Sequence, residues 1–108
     1  MAENELYAKA SRLAELAGYQ DGTIVSKTII KKKTGTVTFF AFSKGEGLSE
    51  HTAPFDALVF ITDGRAEVTV EDNTSILNSG EIMILPANKP HGLNAVENFK
   101  MLLIMIRE

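Results

Sequence analysis

An all-β barrel or sandwich behind one short N-terminal helix is the fold class that this sequence predicts. Three observations carry the prediction. Short segments rich in β-branched and aromatic residues recur from residue 23 onward, turn signals separate them at roughly eight- to twelve-residue intervals, and helical periodicity is confined to residues 3–17.

The helix is expected over residues 3–17. Leu6, Ala10, Leu13 and Ala17 repeat at helical spacing there, with Glu5, Lys9, Arg12 and Glu15 largely off that face. Gly18 stands where a helix ends, because glycine takes the left-handed conformation cheaply. Residues 1–20 are therefore read as a packing or dimer arm, and residues 21–108 as the barrel domain. Residues 23–30 are β-branched and close at Lys31, Lys32, Lys33, Thr34 and Gly35, a solvated hairpin tip whose charge discourages edge pairing. Residues 36–42 alternate, placing Val37, Phe39 and Ala41 on one face and Thr36, Thr38, Phe40 and Phe42 on the other. Residues 58–61 form an apolar run closed by Asp63-Gly64, which reads as a hairpin turn. Residues 65–71 alternate again, Ala66, Val68 and Val70 inward against Arg65, Glu67, Thr69 and Glu71, and Asp72-Asn73 marks another turn. Residues 82–85 and 101–106 are apolar at consecutive positions, which predicts strands buried on both faces.

Composition narrows the function classes. A chain of 108 residues, 44% hydrophobic and 23% charged, supports one domain with a buried core rather than disorder. The net charge of −3 argues against a general nucleic-acid or anionic-membrane binder, and no helix-turn-helix accompanies the strands. With no cysteine there is no disulfide, thiolate zinc site, iron–sulfur cluster or cysteine nucleophile. The longest apolar run, residues 101–106, is too short to cross a bilayer, and residues 1–5 lack the basic and apolar regions of a signal peptide; a cytoplasmic location is expected. Phosphate-binding glycine loops, nucleophile elbows and dinucleotide fingerprints are absent from the sequence.

The chemistry-bearing residues cluster around the only two histidines, His51 and His91. The first stands in a segment running from Gly45 through His51, Ala53, Pro54, Asp56 and Ala57 to Gly64. The second stands in a segment running from Gly80 through Pro86, Asn88 and His91 to Ala95. This pattern resembles the cupin family. Gly45, His51 and Gly64 fall in register on the family's first motif, and Gly80, Pro86 and His91 on its second, with fifteen residues between the two. The resemblance covers residues 23–106 and implies a double-stranded β-helix, or jelly-roll, barrel, and a homodimer. Apolar strands that one small barrel does not fully cover point to the dimer as well.

In metal-binding members the resemblance implies four ligands, three in the first motif and one in the second. By register Ala53 replaces the second histidine and Ala57 the glutamate, so His51 and His91 alone remain. Asn88 takes a position where the family prefers glycine, a substitution a left-handed turn tolerates. Ala95 takes one where it prefers asparagine, with Asn94 adjacent.

A catalytic zinc ordinarily has three protein ligands, and the non-haem iron triad needs a carboxylate besides two histidines. The favoured reading is therefore a small-molecule-binding barrel with a degenerate metal site and no firmly held cofactor. His51, His91, Ala53, Ala57 and Ser49 are its pocket residues, and the two alanines widen one apolar wall. The alternative is a metal-dependent enzyme of dioxygenase or isomerase class. It would hold a divalent zinc, nickel, manganese or iron weakly on His51 and His91, completed by Asp56, Glu50 or water. A third reading is an assembly module whose barrel supports only a dimer interface. Met83, Met101 and Met105, with Phe39, Phe42, Phe55 and Phe60, are expected to serve mostly as core packing.

Overall fold

Strand follows strand in the computed structural model, which describes residues 4–108: β1 (Ile24–Lys32), β2 (Gly35–Phe42), β3 (Gly47–His51), β4 (Asp56–Val70), β5 (Asn73–Asn78), β6 (Ile82–Leu85), β7 (His91–Asn94) and β8 (Phe99–Ile106). All pair antiparallel into one curled sheet that folds over on itself as the expected jelly roll. The first layer runs β1-β2-β8-β4-β6 through the first half of β4, and the second runs β5-β4-β7-β3 through its second half.

Strand β4 belongs to both layers because Asp63-Gly64 is not a hairpin turn. The register against β8 slips between Ile61 and Asp63, Gly64 takes φ +75°, and the chain bends onward into the second layer. Asp-Gly supplies positive φ equally well to a turn or to a bulge. Here the neighbouring backbone decides, since a Cβ on Gly64 would lie 1.8 Å from the Asn98 carbonyl oxygen. The Asp72-Asn73 turn joins β4 to β5 as expected, with Glu71 at φ 54°. Inward positions interdigitate between the layers: Phe42, Val59, Ile61, Val68, Phe99 and Met101 are fully buried there.

The outer face of the first layer is treated unequally. Phe39 and Ala41 point outward from β2 yet are fully buried, because Leu13, Leu16, Ala17 and Tyr19 lie across them with Val25, Ile29 and Leu102. The helix expected over residues 3–17 is reduced to a turn at residues 5–8 and a single 3-10 turn, Leu13–Glu15; its start at Glu3 lies outside the described residues. A helix of that length is marginal in water, and of the expected stripe Leu13 and Ala17 pack on the sheet while Ala10 is exposed. Consecutive apolar residues did not mean burial on both faces either. Ile82 and Ile84 of β6 and Ile106 of β8 are each 60% exposed. Among the described residues, no helix is long and apolar enough to cross a membrane.

The N-terminal segment is clasped at its end. The Tyr19 hydroxyl donates to the Asp63 carboxylate, and the Lys100 ammonium sits 5.2 Å over the Tyr19 ring while donating to the Ala14 carbonyl at 2.8 Å. Burial first, and the bond to Asp63 second, push the Tyr19 pKa up. A phenol whose folded pKa lies above its unfolded value of about 10 stabilises fully below pH ~10 and loses that contribution as pH rises toward the folded value. The stability difference between wild type and Tyr19→Phe is therefore expected to be constant to about pH 9.5 and to shrink above it, read by urea denaturation at stepped pH. A difference that stays flat to pH 11 would mean that the clasp contributes nothing.

Candidate functional site

His51 and His91 meet because β3 and β7 pair with these two residues directly opposite each other. A bulge between Leu48 and His51 lets both imidazoles face the same space. Their rings stand 4.5 Å apart, centroid to centroid, at 66° to one another. His91 is buried and also lies opposite Val70 of β4, whereas His51 is exposed at the mouth. Gly47 allows β3 to approach β7 this closely, since a Cβ there would come 2.4 Å from the Leu93 carbonyl oxygen.

Backbone acceptors set the tautomer of both rings. His51 Nδ1 lies 2.8 Å from the Ser49 carbonyl oxygen, and His91 Nδ1 lies 3.0 Å from that of Lys89. A carbonyl oxygen only accepts, so in each neutral ring Nδ1 carries the proton and Nε2 keeps its lone pair. The pair therefore offers two imidazole acceptors side by side.

Behind them lies a cavity of about 50 Å³ lined by His51 and His91 with Leu48, Ala53, Ala57, Leu85, Leu93, Leu103 and Met105. One water needs roughly 10–15 Å³ on this measure, so the enclosed part holds a few waters or the apolar end of a small molecule. Apart from the two imidazoles its wall is hydrocarbon and thioether.

Two loops hold the geometry. Asn88, at φ 64°, donates its backbone N–H to the Ala53 carbonyl at 2.8 Å, joining the turn after β6 to the segment between β3 and β4. Ala95 is held on both sides at 2.8 Å, its N–H donating to the Glu46 carbonyl and its carbonyl accepting from Gly45. These backbone bonds account for the tolerance of Asn88 and Ala95 at their motif positions.

Of the residues singled out from sequence, His51, His91, Ala53 and Ala57 come together around the cavity. Ser49 does not join them. The bulge places Leu48 on the cavity wall instead, and Ser49 contributes only its carbonyl, to His51. Asp56 faces away, one position before inward-facing Ala57. Its carboxylate accepts from the Ala87 N–H at 2.9 Å and lines a hollow on the outer face. Among the described residues no three His, Cys, Asp or Glu side chains converge. Two imidazoles without a carboxylate do not fit the three-ligand centres expected of catalytic zinc or non-haem iron. Sequence reading missed Leu48, Leu85, Leu93 and Leu103; alternation through β7 and β8 places Leu93 with His91 and Leu103 with Met101 and Met105 on the inner face, whereas Leu48 reaches it only through the bulge in β3.

Comparison with known proteins follows the same lines. The matching family model is that of the cupin domain, over residues 38–107. A conserved protein of unknown function from Streptococcus pyogenes is 32% identical, with a TM-score of 0.92 over 98% of this chain and 93% of that one. A cupin superfamily protein from Desulfitobacterium hafniense is 26% identical, with a TM-score of 0.89 over 98% and 97%. A cupin 2 conserved barrel domain protein from Leptotrichia buccalis is 46% identical, with a TM-score of 0.85 over 87% of this chain and 46% of that longer one. No curated protein matches the chain.

Proposed function

The chain belongs to the cupin family, and from that premise we propose that it binds a small, largely apolar molecule in the barrel, held by its hydrogen-bond donor on His51 and His91. The observation that carries this reading is that both histidines, at an apolar cavity, commit Nδ1 to a backbone carbonyl, which leaves Nε2 of each neutral ring as an acceptor. Two acceptors select a ligand that donates, such as a hydroxyl or an N–H group. The leucine and methionine wall selects a hydrocarbon body behind it.

The second reading, a metal-dependent enzyme of dioxygenase or isomerase class using His51 and His91, rests on the same lone pairs, since neutral imidazole is the metal-binding form. The lack of a converging carboxylate weighs against it. Elemental analysis of protein purified without chelators separates the two. Near-stoichiometric metal that is lost in His91→Ala would favour the enzyme.

Phenol and toluene, alike in size and differing in one donor, test the binding reading directly. Phenol is expected to shift the ¹H–¹⁵N resonances of β3 and β7 and to bind more tightly than toluene. One hydrogen bond is worth about 1 kcal/mol, so His91→Ala is expected to weaken phenol about 5- to 10-fold and to leave toluene unchanged. Ala53→Leu, which fills the cavity and keeps both imidazoles, is expected to abolish both responses. Equal binding of phenol and toluene by wild type would sink the proposed role of the histidines.

A further inference from the structure

Beyond the cover that residues 13–19 lay over Phe39, Ala41 and Leu102, the outer face of the first layer carries a hollow of about 540 Å³ at the ends of β4, β6 and β8. Register builds its apolar floor. Ile84, Leu58 and Ile104 stand side by side on the three strands, and Ile106 lies one row further on, opposite Asp56. Leu58 and Ile104 are half-buried, whereas Ile84 and Ile106 are 60% exposed. Strand β6 stops at Leu85, opposite Ala57, so the turn after it, rather than a strand, flanks Asp56.

Two charged side chains on the rim are fixed by the protein itself. Asp56 Oδ1 accepts from the Ala87 N–H at 2.9 Å. Arg107 is held twice, its Nε donating to the Lys33 carbonyl at 3.2 Å and its guanidinium lying 5.0 Å from the centre of the Phe55 ring. Both line the same hollow, yet among the described residues neither enters an ion pair; the pairs present are Arg12–Glu15, Lys27–Glu5 and Arg65–Glu97. A carboxylate accepts on two oxygens and a guanidinium donates from three nitrogens, so each keeps capacity for an outside group. Glu108 adds a second carboxylate to the rim.

We propose that this hollow binds a zwitterion with an apolar body, the class of a free amino acid with a hydrophobic side chain. Volume supports it, because ligand pockets run from roughly 300 to 1,000 Å³. Charge selects the class. An anion alone would satisfy Arg107 but meet Asp56 and Glu108, and a cation alone would meet the guanidinium. A ligand with both signs sets its carboxylate on Arg107, whose planar fork suits that group, and its ammonium on Asp56. Its side chain then rests on the leucine and isoleucine floor. The hollow lies outside the sheet and does not involve His51 or His91, so it stands whether or not the barrel takes phenol.

Titration of ¹⁵N-labelled protein with phenylalanine, phenylpropionate and phenethylamine tests it, since the three share a ring and differ in charge. Phenylalanine is expected to shift the amides of Ala87, Ile106 and Arg107. It is expected to bind at least about 5-fold more tightly than either singly charged analogue. Arg107→Gln is expected to reduce it to the level of phenethylamine, and Asp56→Asn to that of phenylpropionate. Lys32→Gln removes a cation from the adjacent hollow, which shares Ile104 and Ile106, and is expected to change nothing. Should Arg107→Gln lose its cooperative melt, Asp56→Asn, whose amide oxygen still accepts from Ala87, carries the test. Equal binding of the three ligands overturns the proposal, as does equal weakening by Lys32→Gln. So do shifts confined to His91 and Gly92, which put the ligand in the barrel, or no shift at all, the result when another chain covers this face.

Discussion

Gly64→Ala is expected to destabilise the protein by about 4 kcal/mol or more, enough to leave a domain of this size largely unfolded. Two costs add. A residue with a Cβ at φ +75° pays about 1–2 kcal/mol for the left-handed conformation. The Cβ would also sit 1.8 Å from the Asn98 carbonyl oxygen and 2.9 Å from the Phe99 Cα, backbone atoms that cannot swing aside as a flexible side chain would. The segment before β8 is itself fastened, because Asn98 Oδ1 accepts from the Lys44 N–H at 2.7 Å and Ala95 is bonded to Gly45 and Glu46. Relief would have to come from β4, at the point where it crosses between layers. Gly22→Ala is the matched control, with φ +70° and nothing within 4 Å of the added carbon. It is expected to cost only the conformational part, about 1–2 kcal/mol. Urea denaturation of both variants checks the difference. Equal losses would mean that the close approach at Gly64 carries no weight.

Phe99→Ala is expected to cost about 3–5 kcal/mol, the range for deleting a fully buried phenylalanine. Phe99 is completely buried at the same crossing, opposite Gly64 on β4 and Phe42 on β2. Its ring stacks on Phe42 with centroids 4.5 Å apart and planes 10° from parallel. Truncation removes the ring's burial and leaves a void that strands tied on both sides cannot close. Phe99→Leu refills most of that volume and is expected to cost less than half as much. The comparison is read from denaturant midpoints at constant m-value. A loss under about 1.5 kcal/mol for Phe99→Ala would mean that the crossing collapses around the gap.

Period-two alternation made much of the fold legible. It placed Ala66 and Val68 in the core, because the side to which a strand residue points is a local property of the backbone, while a run of consecutive apolar residues bounded β6 at residues 82–85. Motif spacing brought His51, His91, Ala53 and Ala57 to one cavity. Where neighbours had to choose between two locally equal outcomes, local reading failed. Asp63-Gly64 suits a hairpin or a bulge, and the Asn98 backbone selected the bulge. Leu13 and Ala17 suit a helical stripe or an extended cover, and Phe39 and Ala41 beneath them selected the cover. Ser49 stood two positions from His51, but a bulge that no residue pattern announced put Leu48 on the cavity wall instead.

By itself, then, the sequence determined β1, β2, the two halves of β4, β6, β8 and the two imidazoles, since each follows from composition or spacing along the chain, whereas β3, β5 and β7 went unread. Only the tertiary structure decided that the imidazoles stand edge to face with both Nδ1 atoms committed to carbonyls, and that one apolar sheet face is covered at one end and bare at the other. Those outcomes depend on pairing between segments far apart in the chain, where register and close backbone approach, rather than local propensity, set the energy.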